Sequence, residues 1–228
     1  SNLKVHNYDT NKFTKFLVND IDWKFRDINF LSGFNGSLMA KLKNVNYEAK
    51  NVSTYKTDQT TEVFGALGYL LDIDLQKKTN NSADHFLTPK VFFRYSPDHM
   101  RKAENGVRLN HLNLFNIDRL DAYNNFEGGA SATLGFDYEL KNSSNKNLKL
   151  SAGQVINQKN NNKMPSSSSL DTKLSDFVGN STLNINEKIN LNYKFALDQN
   201  YKDLNYNEIG ASFLSDQVKF DFNYLEEK

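Results

Sequence analysis

Hydrophobic and polar residues alternate along much of this chain with a period of two, the signature of half-buried β-strands. Across 131–140, Ala132, Leu134, Phe136, Tyr138 and Leu140 share one face, and Ser131, Thr133, Gly135, Asp137 and Glu139 share the other. Leu191, Tyr193, Phe195 and Leu197 alternate with Asn192, Lys194, Ala196 and Asp198. Val218, Phe220, Phe222 and Tyr224 alternate with Lys219, Asp221 and Asn223. A longer run, 63–75, places Val63, Gly65, Leu67, Tyr69, Leu71, Ile73 and Leu75 on one face, although Phe64 and Leu70 blur it. Phe13 to Ile21 and Trp23 to Phe30 read as further strands. Gly36, Leu38, Ala40 and Leu42 alternate before Val45, Tyr47 and Ala49 shift the phase, which predicts a bulge or tight turn near Asn44. No segment sustains a helical stripe, so the pattern predicts an all-β, antiparallel meander of roughly ten to twelve strands.

Between the runs lie two kinds of connection. Asn186-Glu187-Lys188, Ser215-Asp216-Gln217 and the stretch Lys141 to Asn147 are short turns, whereas 76–86, 97–131 and 157–176 are longer polar spacers. Residues 157–170 are low complexity and read as a surface or lumen loop. Short turns alternating with long loops suit a membrane barrel with a periplasmic and an outer end. Such a barrel needs an apolar outer face, while its wet lumen tolerates charge. Asp137, Glu139, Lys194 and Asp198 are the candidate lumen-facing residues, alongside Asp72, Asp74, Lys219 and Asp221. A soluble sandwich also carries charge on its second face, so the pattern alone leaves both open.

Composition narrows the classes. Only 38% of the 228 residues are hydrophobic, yet 13% are aromatic and they are patterned, which argues against disorder. A net charge of +1 and scattered Lys and Arg argue against nucleic acid. Without Cys there is no disulfide or thiolate site, and no apolar run is long enough for a membrane helix. His6, His85, His99 and His111 lack zinc spacing; His85 and His99 flank the strand at 87–95 and are expected at loop ends. The carboxylate pairs Asp72/Asp74 and Asp137/Glu139 fit a wet strand face better than acid–base catalysis. No cofactor, metal site or enzyme activity is expected. Arg94, Arg101, Lys102, Arg108 and Arg119 form a mid-chain cluster, read either as a headgroup-binding patch or as a solvated loop paired with Asp98, Glu104, Asp118 and Asp121.

Three segments resemble the barrel part of the LptD family of lipopolysaccharide-assembly outer-membrane proteins. Leu87-Thr88-Pro89-Lys90-Val91-Phe92-Phe93-Arg94-Tyr95-Ser96-Pro97 resembles its L-x-P-x-x-x-x-R-Y-x-P strand. Residues 113–129, with Leu114, Phe115, Arg119 and Glu127, resemble the loop that leads into an LG-x-x-Y strand, here Leu134 to Tyr138. Gly153-Gln154 followed by Ser175-Asp176-Phe177-Val178-Gly179 is similar to the family's GQ…SD-x-V-G. The order and spacing of the three also match. Ala122 and Asn125 stand where the family has Gly and a second Arg.

The resemblance implies an outer-membrane translocon for lipopolysaccharide, with an LptE-like plug lipoprotein, an LptA-like periplasmic bridge and membrane lipid as partners. It marks Pro89, Arg94, Tyr95, Phe115, Arg119, Glu127, Gly153, Gln154, Ser175, Asp176 and Gly179 as signature residues without assigning their roles. Residues 1–228 are expected to be one barrel portion, an internal fragment of a longer chain without the jelly-roll or the terminal strands. Physical reasoning adds details. Pro89, lacking a donor, belongs at a strand start. Arg94 should face the lumen, opposite Phe93 and Tyr95. Leu114 and Phe115, apolar in a polar loop, should fold back to plug the lumen or meet a partner. The alternatives are a porin or active transporter, a soluble sandwich with Phe136, Phe195 and Phe220 buried under a second sheet, and, last, a lipase-like enzyme in the lumen.

Overall fold

The computed structural model describes residues 1–8, 11–26, 33–79, 83–97, 99–103, 105–142 and 146–228. Twelve strands follow in chain order: β1 (Asn2–Tyr8), β2 (Lys12–Arg26), β3 (Phe34–Lys50), β4 (Thr60–Ile73), β5 (Leu75–Thr79), β6 (Ala83–Ser96), β7 (Gly129–Asn142), β8 (Asn147–Asn157), β9 (Phe177–Asn186), β10 (Ile189–Leu197), β11 (Leu204–Leu214) and β12 (Lys219–Glu227). They form one antiparallel sheet in which each strand pairs with its sequence neighbours, except that β4 and β5 lie end to end along β6. β1 and β12 are not paired, so the sheet is open. Several strands are long, with 15 residues in β2 and 17 in β3. A tilted strand needs about 9–11 residues to cross a bilayer.

The two faces differ in kind. The register pairs Arg94 with Ser131, Phe92 with Thr133 and Thr133 with Val155, placing all of them on one face. That face is covered: Phe92, Thr133 and Val155 are fully buried. The alternate residues, among them Phe93, Tyr95, Leu134 and Phe220, are exposed on a bare face. What covers the first face is the chain's own loops. Loops 51–59, 97–128, 158–176 and 198–203 gather at one end of the sheet, and the shorter connections after β5, β7, β9 and β11 lie at the other. Loops 97–128 and 158–176 fold back onto the sheet. Met100, Leu109, Leu114, Leu120, Met164 and Leu170 from these loops pack on Val155, Val178 and Ala196. A second cluster joins Phe126 to Phe16, Val18, Val45, Tyr47, Phe64 and Ala66.

Several sequence expectations change. β3 pairs in unbroken register with both β2 and β4, so there is no bulge near Asn44. The phase shift is an exchange of faces: Leu38 and Leu42 are apolar on the bare side, whereas Val45, Tyr47 and Ala49 are buried on the covered side. The bare side of the strand's last turns carries Asn44, Asn46 and Glu48, so β3 leaves the apolar band there. The stretches around Ile21 and Trp23 form one strand, β2, and Phe30 lies outside the described residues. The run at 63–75 breaks after Ile73, and most of the spacer 76–86 is strand. Pro89 does not start a strand. It sits within β6, opposite the break between β4 and β5, where a missing N–H forfeits little of the ladder.

Candidate functional site

The covered face is divided. Toward the long-loop end it is sealed by a buried polar network, and toward β8–β12 it is an open polar strip. The network joins Arg94 of β6, Arg119 and Glu127 of loop 97–128, and Ser131 and Thr133 of β7. Arg119 is wholly buried at the centre of loop 97–128. Its Nε donates to Glu127 Oε2 at 2.9 Å, a second nitrogen binds Glu127 Oε1, and its remaining donors reach Ser131 Oγ at 2.9 Å and Thr133 Oγ1 at 3.3 Å. Arg94 comes from β6 beneath the loop. Its Nε donates to the Ile117 carbonyl at 2.6 Å, its other nitrogens reach the Glu127 and Gly129 carbonyls, and Nη1 lies 3.6 Å from Glu127 Oε1. One carboxylate is thus shared by two guanidinium groups. Burial pushes the Glu127 carboxyl up, but Arg119 and then Arg94 outweigh it and hold it below the ordinary carboxylate range.

Lys43 extends this network from β3. Its ammonium lies 3.3 Å from Asp118 and also binds the Ala122 and Asn125 carbonyls. Here burial prevails over Lys43, and the Asp118 carboxyl is raised. Sequence reasoning missed Lys43 and assigned Asp118 to the mid-chain arginines instead. The one available signal was a Lys on the face that Val45 and Tyr47 continue. Among the described residues, the arginines of the mid-chain cluster pair with acids other than Asp118 and Asp121. Arg101 pairs with Glu62, Arg108 lies 2.9 Å from Glu227, and Arg94 and Arg119 share Glu127. Asp98 and Glu104 lie outside the described residues.

The second seam is at β8 and β9. Ser175, fully buried, accepts from the Val155 N–H at 2.9 Å and donates to the Asp176 carbonyl at 2.8 Å. Gln154, on the bare side, donates to the Ser175 carbonyl at 2.7 Å and accepts from the Tyr201 hydroxyl at 2.7 Å. Asp176 accepts from Asn205 at 3.1 Å, tying loop 158–176 to β11. Gly153 and Gly135 face each other across the β7–β8 pair and form a floor for the loop. A Cβ on Gly153 would lie 2.6 Å from Leu114 Cδ2 and 2.5 Å from the Leu134 carbonyl, and one on Gly135 would lie 2.9 Å from the Phe115 ring. Leu114 is buried there and Phe115 packs beside it. Gly153→Val is therefore expected to lift loop 97–128 at a cost of about 1–3 kcal/mol, read as a lowered denaturation midpoint with faster proteolysis within the loop. Gly179, on the bare side, lies under the Phe195 ring.

The strip beyond the loops carries Asn180, Thr182, Asn184, Asn190, Asn192, Lys194 and Glu208 on the covered side. Lys194 lies 3.0 Å from Glu208. Asp137 pairs with Lys90 and accepts from Ser151 at 2.6 Å, and Glu139 lies 3.1 Å from Lys141 and 3.4 Å from Lys149. Asp198 does not join them: it closes the turn after β10 by accepting the Lys202 and Asp203 N–H groups at 2.7 and 3.1 Å. Tyr95 and Pro89 lie on the bare side, Tyr95 beside Leu67 and Ala130. His85 lies inside β6, not at a loop end, with Nδ1 2.9 Å from the Tyr138 hydroxyl. His99 stacks on Phe64 in the loop that follows. The strip therefore offers many uncharged hydrogen-bonding groups and paired charges. It can bind polyhydroxylated matter without attracting one sign of charge.

Against known families, the model described as LptD: LPS transport system D matches residues 22–228. The chain belongs to the LptD family. The family works in lipopolysaccharide transport at the outer membrane and is not an enzyme family. A search of curated proteins returned no match. All three motif segments fall within the matched range, and Arg94, Arg119 and Glu127 meet in one buried network.

Proposed function

We propose that residues 1–228 form an arc of an LptD-like barrel that assembles lipopolysaccharide in the outer membrane, with the bare face in lipid and the covered face lining the lumen. One observation carries this reading. A single twelve-stranded sheet leaves a broad apolar band uncovered on one face while its other face is polar or packed by loops. A soluble sandwich would bury Phe136, Phe195 and Phe220, yet Phe136 and Phe220 are exposed and Phe195 lies beside Gly179 on the bare face with no second sheet over it among the described residues. The long-loop end faces outward and the short turns face the periplasm.

In this reading the polar strip accompanies the glycan while the acyl chains stay in the membrane. Loops 97–128 and 158–176 close the outward end above that strip. An LptE-like lipoprotein occupies the rest of the lumen, and an LptA-like bridge delivers the cargo through a jelly-roll outside this stretch. The test uses the full-length parent protein in cells, with a photo-crosslinking residue placed in turn at 134 to 139. Lipid adducts at Leu134, Phe136 and Tyr138, with lipopolysaccharide adducts at Asp137 and Glu139, are expected. Alternation without lipopolysaccharide would remove the transport reading, and no lipid adduct at any position would remove the membrane.

A further inference from the structure

The bare face is not uniform. At the long-loop end of β7 its outward residues are Ala130 and Ala132, whose cross-strand neighbours on β6 are Tyr95 and Phe93. Ile156 on β8 lies opposite Ala132 on the other side. Small residues between larger ones leave a cleft of about 650 Å³, which continues past Phe93 and Tyr95 to Leu67, Tyr69 and Leu38. Its floor is the two alanines, and its walls are Phe93 and Tyr95 on one side and Ile156 on the other. Gln158 and Lys173 lie at its polar end, where loop 158–176 leaves β8, and both are exposed. Among the described residues no carboxylate lines the cleft. The other cation along its lining, Arg94, is committed to Glu127. A neighbouring apolar trough between Trp23 and Leu67, about 560 Å³, lacks this feature, since the cation beside it, Lys41, lies 3.4 Å from Asp22.

We infer that this cleft holds one lipopolysaccharide molecule on the outer surface of the barrel, with an acyl chain over Ala130 and Ala132 and a phosphate at Lys173. The inference rests on the membrane orientation proposed above. The chemistry at the two ends of the cleft argues for it. A groove lined by apolar side chains accepts a hydrocarbon chain, and an unneutralised ammonium at headgroup level accepts an anion. The cleft opens at the long-loop end, which in that orientation meets the outer leaflet, so the anionic lipid it faces is the lipopolysaccharide. Its role is distinct from passage through the lumen: it is a resting place for lipid already delivered, or a fixed lipid that steadies the strands beside the sealed loops.

The experiment uses the full-length protein in cells, with a photo-crosslinking residue at 158 and a control at 222, elsewhere on the bare face. Lipopolysaccharide adducts are expected to be enriched at 158 over 222. Lys173→Gln should lower the adduct at 158 by about fivefold, the worth of one ammonium near an anionic surface. Ala132→Phe, which fills the groove, should abolish the enrichment, and the Lys173 variant, in an exposed loop, keeps the test open if Ala132→Phe does not assemble. Equal adducts at 158 and 222, insensitive to Lys173→Gln, would reduce the cleft to ordinary boundary lipid and overturn the inference. So would a phospholipid adduct at 158 in place of lipopolysaccharide. Absence of lipid at both positions would overturn the membrane orientation as well, which separates that failure from failure of the cleft alone.

Discussion

Glu127→Gln is expected to unseat loop 97–128 at a cost of about 3–5 kcal/mol, because it leaves buried charge without a partner. Two guanidinium groups, from Arg94 and Arg119, share this one carboxylate, and both are almost entirely shielded from water. A neutral amide keeps the shape and some hydrogen bonds but not the charge. The same logic predicts the pattern of double variants. Adding Arg119→Met to Glu127→Gln should cost little more than Glu127→Gln alone, since it removes one of the two orphaned cations. Trypsin reads the outcome directly: Arg101 and Arg108 are held by ion pairs in the seated loop, and release of the loop should open both, with Lys102, to rapid cleavage. Wild-type resistance to trypsin together with an unchanged denaturation midpoint would refute this account of the network. Acid should act in the same direction. The Glu127 carboxyl is lower in the folded protein than in the unfolded chain, so its contribution is complete above the ordinary carboxylate range and fades as pH falls toward the lower, folded value.

The faces of β7, β10 and β12 were legible because each strand keeps one environment on each side along its length. On β3 the environment changes midway, from lipid-facing band to loop-covered core, and the apolar residues change sides with it. Alternation cannot separate that exchange from a bulge, since both shift the phase. Pro89 misled for a related reason. Its missing donor was correctly a problem for pairing, but the answer lay in the neighbouring strand's break rather than in its own start. The motifs named Arg94, Arg119 and Glu127, and local spacing could not say that they touch, because loop 97–128 brings them together only by folding over the sheet. The partners furthest away in sequence, Lys43 for Asp118 and Glu227 for Arg108, left no trace in any local pattern.

Leu134→Arg separates a lipid-facing sheet from a soluble one. Leu134 stands in mid-strand on the bare face, between Val91 on β6 and Gln154 on β8, with nearly half of its surface uncovered. In water such a site tolerates Arg, because an exposed guanidinium keeps its hydration and surface substitutions stay within about 0.5 kcal/mol. At the centre of a bilayer the same change costs about 2–4 kcal/mol. A control on the other face fixes the interpretation. Ser212 lies on the covered side, where its hydroxyl donates to Asp221 at 2.6 Å, and Ser212→Arg would place a cation beside that carboxylate in a wet lumen. The two variants carry the same charge on the same sheet. Leu134→Arg should therefore lower the denaturation midpoint and the amount assembled in the outer membrane, and Ser212→Arg should leave both near wild type. Equal tolerance of the two would mean that water, not lipid, meets the bare face. Equal damage would mean that the sheet resists Arg for reasons of packing alone.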